Sequence, residues 1–121
     1  MSEKESIIKS KSFKFAVRVV NLYKILKKDR KESVISKQLL RSGTSVGANV
    51  REAVNAQSTA DFIHKLSIAQ KECDESLFWI ELLFETEYLK KEEYQSIHND
   101  AAEILKIIRS IILTSKKTHN S

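Results

Sequence analysis

Apolar residues recur at helical spacing in four blocks that fill nearly the whole chain. In residues 12–28, Phe15, Val19, Tyr23 and Leu26 form a stripe with Ala16 and Val20 beside it, while Lys11, Lys14, Arg18, Lys24 and Lys28 fall on the opposite arc. In residues 33–56 the stripe is Leu39, Val46, Val50 and Ala53, padded by Gly43, with Ser33 as the expected N-cap. In residues 58–86 it is Phe62, Leu66, Ala69, Cys73, Leu77, Ile80 and Phe84, and Ser58 with Asp61 resembles a capping box. In residues 92–115 it is Tyr94, Ile97, Ala101, Ile104, Leu105, Ile108, Ile111 and Ile112, with Ile107 and Leu113 off the stripe. Polar turns at 27–32 and near Leu89–Lys91 separate the blocks, and polar tails flank them, the C-terminal KKTHNS being expected to fray. Such short connections make sequential helices antiparallel neighbours. The predicted architecture is all-α: one antiparallel, up-down-up-down four-helix bundle spanning residues 1–121.

The third block breaks the pattern. Besides its stripe it carries Ile68, Phe78, Trp79, Leu82 and Leu83, so its second half is apolar nearly all round. A helix apolar on every side is covered on every side, and the simplest cover is another copy of the chain. Those five residues are the candidate oligomer interface. Trp79, off the stripe, is expected at a subunit boundary, because aromatic residues are common interface anchors.

Composition narrows the class further. The 121 residues include no proline and two glycines, Gly43 and Gly47, where average usage gives about six and about eight. All-β and doubly wound folds need far more turn residues, and a Gly-rich phosphate loop is excluded by the same shortage. Both glycines fall inside the second helix, amid the small residues Ser42–Asn49. Each costs a soluble helix about 1 kcal/mol relative to Ala, so the spacing points to a close approach of two backbones. With one cysteine, Cys73, no intramolecular disulfide forms and no thiolate metal cage exists. The polar start MSEKESIIKSK has no signal-peptide core, and no uncharged run is long enough to span a membrane. A cytoplasmic protein is the expectation.

Charge changes the picture more than composition does. The net charge is +5, yet residues 1–31 carry +7 and residues 58–89 carry −5. The basic first quarter reads either as a nucleic-acid surface or as the complement of the acidic third quarter, in the same or another subunit. Charge asymmetry alone leaves both readings open.

Reaction chemistry is sparse. His64, His98 and His119 lie on different elements, with no ligand spacing around them. Cys73 lies on a core stripe and reads as an inert buried thiol. GTSVGANVRE lacks the lysine of a phosphate-binding loop. Glu72 and Glu75 share a helix face, but no histidine accompanies them as a di-metal bundle would require. No catalytic residue, cofactor, metal or small-molecule substrate is inferred, and the chain is not expected to be an enzyme. The notable polar line is Arg41, Ser45, Asn49 and Glu52 along one side of the second helix. Reflecting that helix onto the third about residues 57–58 sets Arg41 opposite position 74, between Glu72 and Glu75. An Arg–carboxylate pairing there, within or between chains, is the expected polar network, its role being register rather than net stability.

Two of these stretches also carry a family resemblance. Gln38-Leu39-Leu40-Arg41-Ser42, Ser45-Val46 and Asn49-Val50-Arg51-Glu52-Ala53, together with Ala69–Ser76 and Trp79–Leu83, resemble the signature of the bacterial 23S rRNA-intervening-sequence proteins, also called the four-helix bundle protein family. The resemblance covers about residues 12–115. Many members have Gly after the second-helix Glu; Ala53 stands there instead, which implies that the helix continues. The resemblance implies an up-down-up-down left-handed bundle assembling into a homopentamer. It is also similar to the accessory protein of diversity-generating retroelements, a basic pentameric barrel that binds nucleic acid and a reverse transcriptase. The family's reading frames lie in insertions within 23S rRNA genes, and its biochemical role is largely unassigned. The resulting expectation is a non-enzymatic homo-oligomer that binds RNA or DNA through Lys11, Lys14, Arg18, Lys24, Lys27, Lys28, Arg30 and Lys31. The alternative is a protein–protein interaction scaffold or accessory subunit with no nucleic-acid binding.

Overall fold

The structure is a computed structural model; it describes residues 1–120, with side chains described through Thr118. The tail histidine, His119, therefore lies outside the described side chains. Four helices follow one another: α1 (Glu3–Lys28), α2 (Ile35–Val54), α3 (Thr59–Glu85) and α4 (Lys91–Asn120). There is no strand among the described residues, and each helix packs on its chain neighbours while α1 closes on α4. Cross-helix contacts run in opposite senses on each pair. Val19 and Ser12 meet Gly43 and Gly47 across α1–α2, Arg41 meets Glu72 across α2–α3, and Lys11 and Arg18 meet Glu103 and Asp100 across α4–α1. The neighbours are therefore antiparallel, as their short connections dictate.

The core is a continuous apolar column. Phe15, Val19, Leu26, Leu39, Val46, Val50, Leu66, Ala69, Cys73, Ile80, Ala101 and Ile108 are all at or below 1% exposure. The stripes that periodicity marks are largely the buried ones. Tyr23, Leu77, Phe84 and Tyr94 are only partly buried, and Phe84 stacks on Tyr94 with centroids 4.2 Å apart. Both glycines sit where α1 crosses α2. A Cβ on Gly43 would lie 2.9 Å from Val19 Cγ2, and one on Gly47 would lie 3.1 Å from the Ser12 carbonyl oxygen.

Three boundaries differ from the sequence expectation, each for a physical reason. The first helix starts at Glu3 rather than near Ser12. Ser2 caps it through the Glu5 N–H, Glu5 returns a bond to the Ser2 N–H, and Ile8 extends the core stripe by two turns. The second helix is not capped by Ser33. Its N-cap is Val34, and the Glu32 carboxylate accepts the N–H groups of Val34, Ile35 and Ser36 at 3.0, 2.9 and 2.7 Å. The C-terminal tail does not fray at Ser115: α4 continues to Asn120, with no Gly or Pro to stop it and with Lys116 and Lys117 near the end that favours cations. At the start of α3 the Ser58 hydroxyl accepts the Asp61 N–H at 3.0 Å, as the capping pattern predicts.

With no glycine in any connection, the loops turn on ordinary residues. Lys31 and Glu87 occupy the left-handed region at φ 58° and 69°. At Glu87 the α3 terminus closes by Glu87 N–H to Phe84 O at 3.0 Å and Tyr88 N–H to Leu83 O at 2.9 Å, the bond pair that normally centres on glycine.

Candidate functional site

Two polar constellations could carry function: a fork of ion pairs between α2 and α3, and the basic surface of α1. The first grows from helix register. Arg41 projects from α2 toward the α3 turn that holds Glu72 and Glu75, three residues apart on one face. Its Nη1 donates to Glu72 Oε2 at 2.8 Å and its Nη2 to Glu75 Oε2. Glu75 also accepts the Trp79 indole N–H at 3.0 Å. That bond, and then Arg41, hold the Glu75 carboxyl below the usual carboxylate range. Beneath the fork, the buried hydroxyls of Ser42 and Ser76 share a hydrogen bond at 2.9 Å, a contact that periodicity did not flag.

The rest of the expected polar line on α2 stays local. Asn49 Nδ2 donates to the Ser45 hydroxyl at 3.0 Å and to the Ser45 carbonyl at 2.9 Å, and Glu52 faces Lys65 at 3.7 Å. Arg41, Glu72 and Glu75 thus form one cluster, extended to Trp79, and Ser45, Asn49 and Glu52 are not part of it.

The expected interface set divides as well. Leu83 is fully buried at 0% exposure and belongs to the core, because its direction on α3 faces the bundle interior rather than outward. Ile68 and Leu82 are partly buried. Trp79 packs partly buried against the core with its N–H held by Glu75, and its ring meets Phe78 edge-on at 4.9 Å. Phe78 alone of the five stands well out, at 55% exposure.

The eight candidate cations, among the ten of residues 1–31, fall into two classes with Lys27 apart from both. Lys11, Arg18 and Arg30 reach across the seam to α4, at 2.8 Å from Glu103, 2.7 Å from Asp100 and 2.7 Å from Glu93. Arg30 donates in addition to the Tyr88 carbonyl at 2.7 Å, tying the α1–α2 loop to the α3–α4 loop. This α1–α4 seam is the most thinly packed of the four, and these ion pairs run along its outer edge. The other class, Lys14, Lys24, Lys28 and Lys31, is exposed and makes no ion pair among the described residues. Lys27 lies 5.8 Å above the Tyr23 ring, its head still at the surface.

Cys73 and His98 are occupied. The Cys73 thiol donates to the Ala101 carbonyl at 3.2 Å, and burial, then Asp74, pushes it up to about 12, which leaves it protonated and unreactive. His98 meets Glu81 at 3.1 Å, and His64 is exposed. Among the described residues, no group of three His, Cys, Asp or Glu side chains is placed to hold a metal ion. None of the helices is long and apolar enough to cross a membrane.

Residues 4–110 match the sequence profile of the 23S rRNA-intervening sequence proteins. The chain belongs to that family. A crystal structure from Bacteroides thetaiotaomicron, described as a protein of unknown function from the S23 ribosomal protein family, is 60% identical. The match covers 90% of this chain and 97% of that one, with a TM-score of 0.88. No curated protein matches. The 23S rRNA-intervening sequence match runs from the first turn of α1 well into α4, so it takes in both the Arg41 fork and the cation-bearing seam.

Proposed function

We propose that this 23S rRNA-intervening sequence protein is a non-enzymatic, self-assembling bundle that binds RNA or DNA through the free cations of α1. The observation that carries this reading is the division of the α1 charge. Lys11, Arg18 and Arg30 are neutralised by α4 carboxylates, whereas Lys24, Lys28 and Lys31, with Lys27 beside them, gather unneutralised at one end of the helix. A phosphate backbone needs such a cluster and needs no base-reading groove. A homopentamer, as the family resemblance implies, would carry about +25 and present five such clusters, a strong field for a polyanion.

Two measurements test this. Native mass in solution at micromolar concentration is expected to exceed that of one 13.9 kDa chain. Binding to a structured RNA is expected to weaken steeply with salt, and to be lost when Lys24, Lys27 and Lys28 are each changed to Glu. Salt-independent binding, or full affinity in that triple variant, would overturn the nucleic-acid reading. A second reading, a protein scaffold with no nucleic-acid binding, is favoured by the α4 ion pairs, which commit part of the α1 charge to packing. It predicts no RNA binding at any salt, with assembly intact.

A further inference from the structure

We infer that the outer stripe of α1 is a stacking platform for single-stranded nucleic acid: an unpaired base lies on the Phe13 ring, and the strand runs from there along α1 to the free lysines at its end. This assignment deepens the nucleic-acid reading above and rests on it; that reading places the phosphates, and this one places a base.

The stripe follows from helix register. Phe13, Val17, Val20 and Lys24 stand at i, i+4, i+7 and i+11, the first and last being three turns apart and within ~20° of alignment. They lie on the side of α1 turned away from the core stripe of Phe15, Val19 and Leu26. Phe13 and Val17 are 56% and 46% exposed, and Val20 is half-buried. The Arg51 guanidinium lies 5.8 Å from the centre of the Phe13 ring and braces it from the α2 side.

Beside the ring runs a groove of about 360 Å³ between α1 and α2, floored by Ala16, Gly47 and Ala48. The groove is shallow because Gly47 lets the α2 backbone approach the Ser12 carbonyl. Lys9 and Arg51 stand on its walls, and its one carboxylate, Glu52, lies 3.7 Å from Lys65. Lys9, Lys14 and Arg51 make no ion pair among the described residues. The setting of the ring is therefore positive without counting Lys11, Arg18 or Arg30, which α4 engages.

Cations at both ends of an apolar stripe select the occupant. Phosphates are matched by Lys9, Lys14 and Arg51 at one end and by Lys24, Lys27 and Lys28 at the other, and bases by the ring and valine methyls between them. Eleven residues of α1, about 17 Å, separate Phe13 from Lys24. About five nucleotides span that length at the ~3.4 Å per phosphate of a stacked strand. Single-strand sites combine a basic track with aromatic rings in this way and take about 4–16 nucleotides. A duplex keeps its bases stacked on one another, so Phe13 offers its surface only to an unpaired base.

The test uses the full chain, an unstructured RNA of about 12 nucleotides and the same RNA annealed to its complement. Phe13→Leu removes the ring at an exposed position, Phe13→Trp keeps an aromatic surface, and far-UV circular dichroism checks that both fold. Phe13→Leu is expected to weaken single-strand binding about tenfold while duplex binding stays at the wild-type level, and Phe13→Trp to keep single-strand affinity. The slope of log affinity against log salt is expected to be unchanged in Phe13→Leu, because no phosphate contact is lost. Full single-strand affinity in Phe13→Leu, or equal losses on single strand and duplex, would overturn the inference while leaving phosphate binding at Lys24, Lys27 and Lys28 standing. A wild-type chain that binds neither RNA at low salt would overturn both. A fall in native mass in Phe13→Leu would overturn it too, and would assign the ring to a contact between copies of the chain.

Discussion

Gly43→Ala separates local helix preference from tertiary packing at one atom. In an isolated helix the substitution gains about 1 kcal/mol. In this bundle the new Cβ would lie 2.9 and 3.0 Å from the two γ-carbons of Val19 and 3.3 Å from its β-carbon, against an ordinary carbon–carbon separation of ~3.5–4.0 Å. Val19 is 1% exposed, and a β-branched side chain has essentially one χ1 choice in a helix, so it cannot swing clear. Overpacking of this kind costs about 1–3 kcal/mol. The two effects leave Gly43→Ala neutral to about 2 kcal/mol destabilising, instead of stabilising. Val19→Ala alone costs roughly 1–3 kcal/mol for the two lost methyl groups and their cavity. In the double variant the methyl introduced at position 43 enters that space, the two γ-carbon clashes are gone and only the 3.3 Å approach to the β-carbon of residue 19 remains, so the pair is less damaging than the sum, with a coupling of about 1–3 kcal/mol. Urea unfolding followed by far-UV circular dichroism, at one fixed protein concentration so that any self-association acts equally on all variants, measures all four members of the cycle. If Gly43→Ala stabilises by the full helix-propensity gain and shows no coupling to Val19, α1 does not press on α2 at that point. Gly47 offers a contrast: its neighbour is the Ser12 backbone oxygen, so no truncation of the Ser12 side chain rescues Gly47→Ala.

Two further predictions concern the chain's unusual loop chemistry. Burial alone would raise the Glu32 carboxyl, but the Ile35, Ser36 and Val34 N–H groups outweigh it and hold it below the ordinary carboxylate value. A depressed carboxyl contributes fully above the unfolded pKa of about 4.3 and loses that contribution as pH falls through its lower folded value. Glu32→Gln should therefore cost about 1–2 kcal/mol at neutral pH, the worth of a lost helix cap, and the gap from wild type should close in acid; a gap that persists unchanged in strong acid would contradict this. Glu87→Gly should gain about 1 kcal/mol and raise the melting temperature by a few degrees, because a left-handed L-residue is strained and glycine is not; a lower melting temperature would show that the Glu87 side chain stabilises the turn by more than its backbone costs.

The helices were legible because their signal is periodic and local. Leu39, Val46, Val50 and Ala53 repeat at the spacing of one helix face, and burial follows that face. Arg41 and its carboxylates could be placed because the α2–α3 connection is four residues long, so reflection about it fixes the register to within a turn. The Glu32 cap was not legible. Ser33 has the generic preference for that position, but Lys31 turns left-handed and swings the following carboxylate over the end of α2, and one residue of loop geometry decides between them. Leu83 was misplaced for a related reason: where α3 is apolar all round, periodicity no longer says which apolar residues face inward.

The α4 partners of Lys11, Arg18 and Arg30 were beyond reach for a topological reason. α1 and α4 are the ends of the chain order, joined by no turn, so their relative register accumulates the geometry of three connections. That closing seam is also where sequence charge misleads most. Summed along α1 and the loop after it, ten cations read as one basic surface, yet three of them are engaged by Glu103, Asp100 and Glu93. The seam they span is the most thinly packed in the bundle, and Lys11, Arg18 and their carboxylate partners lie at its exposed edge, where solvent screens them. What is left for a partner is therefore not a basic helix but a basic end of one, with an apolar groove farther along the same helix.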